Sequence, residues 1–130
     1  MKARFPYDLS RHPSIPVLPV RVGAGQGRGS SAVPAIVDTG ADITVIPERL
    51  ARNLRLAATG EVRIRGATGD SVRVPLYAAT LSVAGSDITL PVVGLGREAI
   101  LGRDIINRWT VVLRGPAGVL DVEAPVSSAS

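Results

Sequence analysis

The chain has 130 residues, 45% of them apolar, with 14 glycines, 10 prolines and no cysteine. That length supports one hydrophobic core but not two, and the lack of cysteine removes a disulfide framework, a thiolate zinc site and a cysteine nucleophile. The net charge of +4 rests on scattered arginines with few aromatics to stack on bases, so a solvated basic surface is a better reading than a nucleic-acid site. His12 is the only histidine and sits beside Arg11 and Pro13, where a solvated side chain is the simplest reading. A Ser-His-Asp triad or a multi-histidine metal site therefore has little to draw on within one chain. The opening "MKARFPYDLS" lacks the apolar core of a signal peptide, and no apolar run is long enough to span a bilayer. The expectation is a cytoplasmic, soluble protein with no membrane partner.

Frequent glycine and proline without long helical periodicity predict a β-rich, turn-rich domain. Residues 1–14 mix prolines and charges with little pattern and predict an extended arm, ordered only where something docks on it. "IPVLPVRV", Ile15 to Val22, reads as a strand whose prolines restrict it to an edge or to irregular pairing. "GAGQGRGSS" reads as a turn, and "AVPAIV" as a second strand leading into Asp38. Gly27, Gly29 and Ala32 satisfy G-x-G-x-x-A, but Pro34 and the β-branched residues that follow argue against the helix a phosphate loop needs. A short helix is predicted from Pro47 to Asn53, where Pro47 suits the first turn and Leu50 and Leu54 share a face. "EVRIRGATGDSVRV" predicts a hairpin, since Val62 and Ile64 alternate with Arg63 and Arg65, and Val72 and Val74 flank Arg73. Further strands are predicted near Tyr77 to Val83, Ile88 to Val93 and Thr110 to Leu113, and a second short helix from Arg103 to Trp109.

"IVDTGADIT", residues 36–44, is the stretch with chemical content. An acid delivered by an apolar strand loses part of its hydration, which disfavours the charged form. Gly40 lets the backbone turn sharply and brings main-chain N–H groups near the carboxylate, while the Thr39 hydroxyl can lock the loop. Taken alone, Asp-Thr-Gly is also compatible with a simple Asx-type turn.

The wider segment "AIVDTGADITVIP" closely resembles the active-site loop of retropepsin-like aspartic proteases, the group that includes retroviral proteases and bacterial and cellular relatives. "EAILGRDIIN", Glu98 to Asn107, resembles the family's apolar-apolar-Gly-Arg-Asp/Asn element before its C-terminal helix, and "RIRGATGDSVRV" falls where the family carries its flap. The likeness runs from about Pro16 to Val122, and three elements in the right order are far more specific than any one. It implies an all-β fold: a retropepsin-like, closed acid-protease β-barrel with a flap hairpin and one or two short helices. The domain would span 15–123, between the arm at 1–14 and a tail at 124–130.

The resemblance further implies an aspartic endopeptidase with no metal or cofactor, acting on extended peptide or protein substrates at acidic to mildly acidic pH. Such chemistry uses two facing carboxylates, and none of Asp42, Asp70, Asp87 or Asp104 repeats the Asp-Thr-Gly pattern. The second acid would then come from a second chain, with the two Asp38 residues at the axis of a C2 homodimer. By the same resemblance Asp38 is catalytic, and Thr39 and Gly40 brace the loop. Gly40, Ala41, Asp42, Ile100 and the flap tip Gly66, Ala67, Thr68 and Gly69 meet substrate, and Asp42 forms a structural ion pair with Arg103. Ile43 replaces a residue that is acidic in some retroviral members, which implies more apolar substrate contacts there. The stretch "TVVLRGPAGVLDVEAP" exceeds a short viral C-terminal strand, so its extra strands could rebuild the dimer sheet. The arm is also placed to lie in the cleft as a self-processed or inhibitory segment. A catalytically silent dimerisation or peptide-binding module on the same fold stays open as the alternative. A basic RNA-binding barrel rests on charge alone.

Overall fold

The computed structural model describes residues 1–25 and 27–125. Among the described residues ten strands and two short α-helices follow one another, with a 3-10 turn at Gly115–Ala117. They are β1 (Lys2–Pro6), β2 (Val17–Gly23), β3 (Ser30–Val37), β4 (Val45–Ile46), α1 (Glu48–Asn53), β5 (Ala58–Arg65), β6 (Ser71–Val83), β7 (Ser86–Gly94), β8 (Ala99–Leu101), α2 (Arg103–Ile106), β9 (Thr110–Arg114) and β10 (Val119–Glu123). One sheet runs β2-β3-β8-β4-β7-β6-β5, and an added β2–β6 pairing closes its first six strands into a barrel. The all-β, closed barrel expected from the sequence is therefore the observed architecture. No helix among the described residues is long and apolar enough to cross a membrane.

Barrel closure explains the alternation along each strand. In β2 the residues Leu18, Val20 and Val22 point inward while Pro19 and Arg21 are exposed, as a two-residue period over a filled interior requires. The core joins these to Leu81, Val92, Leu101 and Ile105, each worth roughly 1.5–3 kcal/mol when fully buried.

Of the two readings its prolines allowed, β2 shows irregular pairing and not a plain edge. β2 pairs with β3 along its whole length but with β6 only at Arg21, Val22 and Gly23, so Pro19 lies where the strand has a single neighbour. Pro34 likewise precedes the part of β3 that pairs with β8, Ala35 to Val37. Each proline sits where its missing N–H costs no second ladder. The glycine-rich segment is the β2–β3 connection, followed by a strand and not a helix; Gln26 lies outside the described residues.

α1 begins after Pro47, one residue later than predicted. α2 is shorter than the predicted 103–109, because the chain tightens into i−3 bonds (Arg108 N–H to Ile105 C=O, 2.9 Å) and enters β9. The predicted hairpin is β5–β6, in register from Val62↔Val74 to Arg65↔Ser71, and β6 continues through Pro75 as one strand to Val83.

The first residues differ most from expectation. Lys2–Pro6 is not a loose arm but the outer strand of a second, three-stranded sheet in the order β1-β10-β9. The ends are stapled: Ala124 N–H donates to the Met1 carbonyl at 2.8 Å, and the Met1 ammonium donates to the Ala124 carbonyl at 2.7 Å. Ala124 is buried and Pro125 exposed, and residues 126–130 of the expected tail lie outside the described residues. The alternation of Ala3 and Phe5 is too short to read until β10 lies beside it.

On the outer face of this sheet Asp121 accepts from Arg4 (2.6 and 3.1 Å) and from Arg114 (2.7 Å). Those hydrogen bonds, Arg4's first and Arg114's second, hold its carboxyl far below the usual carboxylate range. A carboxyl whose folded value is depressed stabilises fully above its unfolded value, about 3.9, and loses that contribution as pH falls through the folded one. The sheet thus keeps its ion triad in mildly acidic solution. Thermal melts of wild type and Asp121→Asn should differ by a constant amount above pH 5 and converge below pH 3, wild type falling the more steeply.

Candidate active site

Asp38 follows β3 directly. Its N–H donates to the Leu101 carbonyl at 3.1 Å, which extends the parallel β3–β8 pairing by one residue and fixes where the acid emerges. The chain then turns back on itself, with Gly40 N–H donating to Asp38 Oδ1 at 2.9 Å and Ala41 N–H to the Asp38 carbonyl at 3.2 Å. A Cβ on Gly40 would stand 3.1 Å from Asp38 Oδ1, so glycine keeps the carboxylate close to the main chain. Asp38 is half-buried, whereas Thr39 and Gly40 are exposed. Within one chain the apolar lead-in thus delivers the acid to an open surface and not to an enclosed pocket.

Beneath the loop lies the start of α2. Arg103 N–H donates to the Ala41 carbonyl at 2.9 Å, and its guanidinium donates to the Thr39 carbonyl at 2.7 Å and to Asp42 Oδ1. Asp42 and Arg103 therefore meet, but the Asp42 side chain is 85% exposed, and pairs of that kind contribute about 0–1 kcal/mol. The bond to the Thr39 carbonyl is what ties α2 to the loop.

A second layer was not singled out from the sequence. Thr44, 1% exposed, donates its N–H to Asp104 Oδ2 at 2.9 Å and its hydroxyl to Asp104 Oδ1 at 2.7 Å. The same hydroxyl accepts from Gly102 N–H at 3.1 Å, and the Thr44 carbonyl accepts from Val93 N–H at 2.9 Å. A Cβ on Gly102 would lie 2.8 Å from the Ile43 carbonyl carbon and 3.0 Å from the Ala41 carbonyl oxygen, so the two loops touch there main chain to main chain. The only hint in the sequence is a threonine inside the apolar run "ITVI" and an acid at the head of "RDII".

Ile100, the middle residue of β8, pairs with Ile36 on one side and Val45 on the other, and is half-buried between buried Ala99 and Leu101. The flap turn is closed by Gly66 N–H to the Asp70 carbonyl (2.9 Å) and Gly69 N–H to the Gly66 carbonyl (3.0 Å), with Gly69 at φ 86°. Asp38, Thr39, Gly40, Ala41, Asp42 and Arg103 are gathered in one hydrogen-bonded unit, with Ile100 on a neighbouring strand. Gly66, Ala67, Thr68 and Gly69 are exposed at the far end of the hairpin, and no described hydrogen bond links them to that unit.

The closed β-barrel thus carries one Asp-Thr-Gly loop against a Gly-Arg-Asp helix start. A family profile described as aspartyl protease matches residues 18–105, from β2 through α2. The chain belongs to this aspartyl protease family. Among solved structures it resembles the EIAV protease complexed with the inhibitor HBY-793, with a TM-score of 0.59 and 23% identity over 79% of this chain and 92% of that one. It also resembles the foamy viral protease-reverse transcriptase bound to an RNA/DNA hybrid, with a TM-score of 0.58, 23% identity and 74% of this chain covered. The match spans only 12% of that viral chain. At such identity both likenesses speak to the fold. No curated protein matches the sequence.

Proposed function

We propose that two copies of this chain form a homodimeric aspartic endopeptidase, with residues 15–123 as its catalytic domain and one Asp38 from each copy at the shared site. The observation that carries this reading is the Asp38 loop itself: an acid whose main-chain N–H is pinned to the end of β8 and whose carboxylate accepts from Gly40 N–H, at the surface, once per chain. Two carboxylates brought together there share one proton, since both cannot comfortably be charged.

The ionised carboxylate takes a proton from a bound water as its oxygen forms a bond to the peptide carbonyl carbon. The protonated carboxylate gives its proton to the carbonyl oxygen, which yields a neutral gem-diol. Collapse breaks the C–N bond, with a proton delivered to the leaving amine, and leaves an acid and an amine. Thr39 and Gly40 keep the loops narrow, and Gly40, Ala41 and Asp42 offer contacts to an extended peptide. Ile100 lines the pocket beside the scissile bond, and Gly66 to Gly69 close over the substrate and exclude water. Arg103 positions the loop through the Thr39 carbonyl. The scheme requires no metal or cofactor.

The test is cleavage of a random peptide pool, with and without a transition-state-mimicking aspartic protease inhibitor, while mass is followed by sedimentation. Cleavage that the inhibitor blocks, and that declines on dilution as dimer is lost, is expected. A folded dimer that retains peptides without cutting them would replace the enzyme with a peptide-binding module.

A further inference from the structure

The β5–β6 hairpin carries three arginines for which the cleavage chemistry has no use. Arg63, Arg65 and Arg73 share one face of it with Ser71, all of them exposed. Val62, Ile64, Val72 and Val74 share the other face, and Val74, 3% exposed, marks that face as the one turned toward the protein. Arg4, Arg11, Arg52, Arg103 and Arg114 each meet a carboxylate, but none of the ion pairs among the described residues includes Arg63, Arg65 or Arg73.

Other arginines also stand without an acid; spacing sets these three apart. Arg63 and Arg73 are directly opposite in the register. Gly66 N–H donates to the Asp70 carbonyl beside the turn, and pair types alternate along an antiparallel ladder. Arg63 and Arg73 therefore fall at a non-hydrogen-bonded position, with Cα atoms about 4.5 Å apart. Like charges so placed destabilise the pairing. The strain falls where support is least, because β6 gains its other neighbour, β7, only from Leu76 onward, and a two-stranded hairpin is marginal by itself. A local rule broken without compensation inside the chain points to compensation from outside it.

An anion supplies that compensation, and the patch says which kind. Guanidinium groups take carboxylates in a two-pronged fork. Arg65 lies two residues beyond Arg63 along β5, about 6.6 Å, which is also the step between alternate side chains of an extended peptide. Glu61, on the same face, bounds the patch toward the barrel. No aromatic residue stands between Gly60 and Val74 to stack on a base. A short basic patch bounded by an acid suits two carboxylates of a peptide better than the long phosphate run of a nucleic acid.

We propose that the outer face of the β5–β6 hairpin is a docking surface for an acidic, extended segment of a partner protein. One carboxylate bridges Arg63 and Arg73, and a second, two residues along, meets Arg65. The surface lies on the opposite side of the hairpin from the valines and is separate from the Asp38 loop.

The test is fluorescence anisotropy of a labelled peptide with glutamate at alternate positions, titrated with the Asp38→Asn chain so that cleavage does not enter. The salt is set at about 0.1 M, where charges more than about 10 Å apart are screened from each other. Binding is expected, and the same peptide with glutamine should not bind. Arg63→Gln combined with Arg73→Gln should weaken binding about tenfold or more. Its thermal melt should hold or rise, since a like-charge pair is gone. Arg21→Gln combined with Arg28→Gln removes as much charge from the β2–β3 hairpin and should change binding by about twofold or less. Equal loss in both double variants would assign the binding to the basic surface at large and overturn the docking site, as would no binding at all. Tighter capture of an RNA oligonucleotide of equal charge through Arg63 and Arg73 would overturn the protein partner in favour of nucleic acid. Each of these outcomes leaves the role of Asp38 untouched, so the protease reading is decided separately.

Discussion

Asp38→Asn should reduce peptide cleavage by about a thousandfold or more in a chain that folds and associates as before. Asparagine keeps the shape of aspartate, and its amide oxygen can still accept from Gly40 N–H, the bond that shapes the loop. What it cannot do is exchange a proton with water or with a peptide carbonyl. Every homodimer of the variant would lack both acids, so no partial site remains. Circular dichroism and sedimentation check that fold and association persist, and initial rates on a peptide substrate measure the loss. Undiminished cleavage by the folded variant would remove Asp38 from the chemistry.

Asp104→Ala is expected to have the largest effect on stability, about 2–4 kcal/mol, although it touches no substrate. Its carboxylate receives both the N–H and the hydroxyl of Thr44, and Thr44 is buried. Removing the acceptor leaves two buried donors without partners, and the cost of an unmade bond exceeds the net worth of a made one. The Thr44 hydroxyl also receives Gly102 N–H, so the disturbance reaches the point where the Asp38 loop and α2 touch. Urea melts should show the loss, and activity should fall at temperatures where the variant is still folded. Asp42→Asn makes the contrast: its exposed pair with Arg103 should cost no more than about 1 kcal/mol, with Arg103 still holding the Thr39 carbonyl.

The barrel and the flap were legible because their signals are local. Alternation in "VRI" and "VRV" around a glycine-rich turn specifies a hairpin whatever surrounds it, and the Asp-Thr-Gly loop and "GRDII" are contiguous in sequence. β1, β4 and β8 were not legible as strands, since two to five residues carry too little periodicity and depend on neighbours far along the chain. β1 needs β10, more than a hundred residues away, before Ala3 and Phe5 acquire an inward side. The prolines of β2 announced irregular pairing without locating it, for a related reason: a sequence shows that an N–H is missing but not how many neighbours each part of a strand has. The Thr44–Asp104 pair spans 60 positions, and an isolated threonine in an apolar run looks like any β-branched strand residue. The site's visible chemistry lay in one short segment, while the groups that hold it rigid were distributed.

The claim that the second acid belongs to a second chain is tested most directly by mixing. Wild type at fixed concentration, well above the dimer dissociation constant, is combined with increasing Asp38→Asn and allowed to re-pair. If each site needs one Asp38 from each copy, an equal amount of the variant should lower the wild-type rate by about half on random pairing, and a large excess should drive it toward zero. A rate that follows the wild-type chain alone, whatever the amount of variant, would contradict a site shared between two copies.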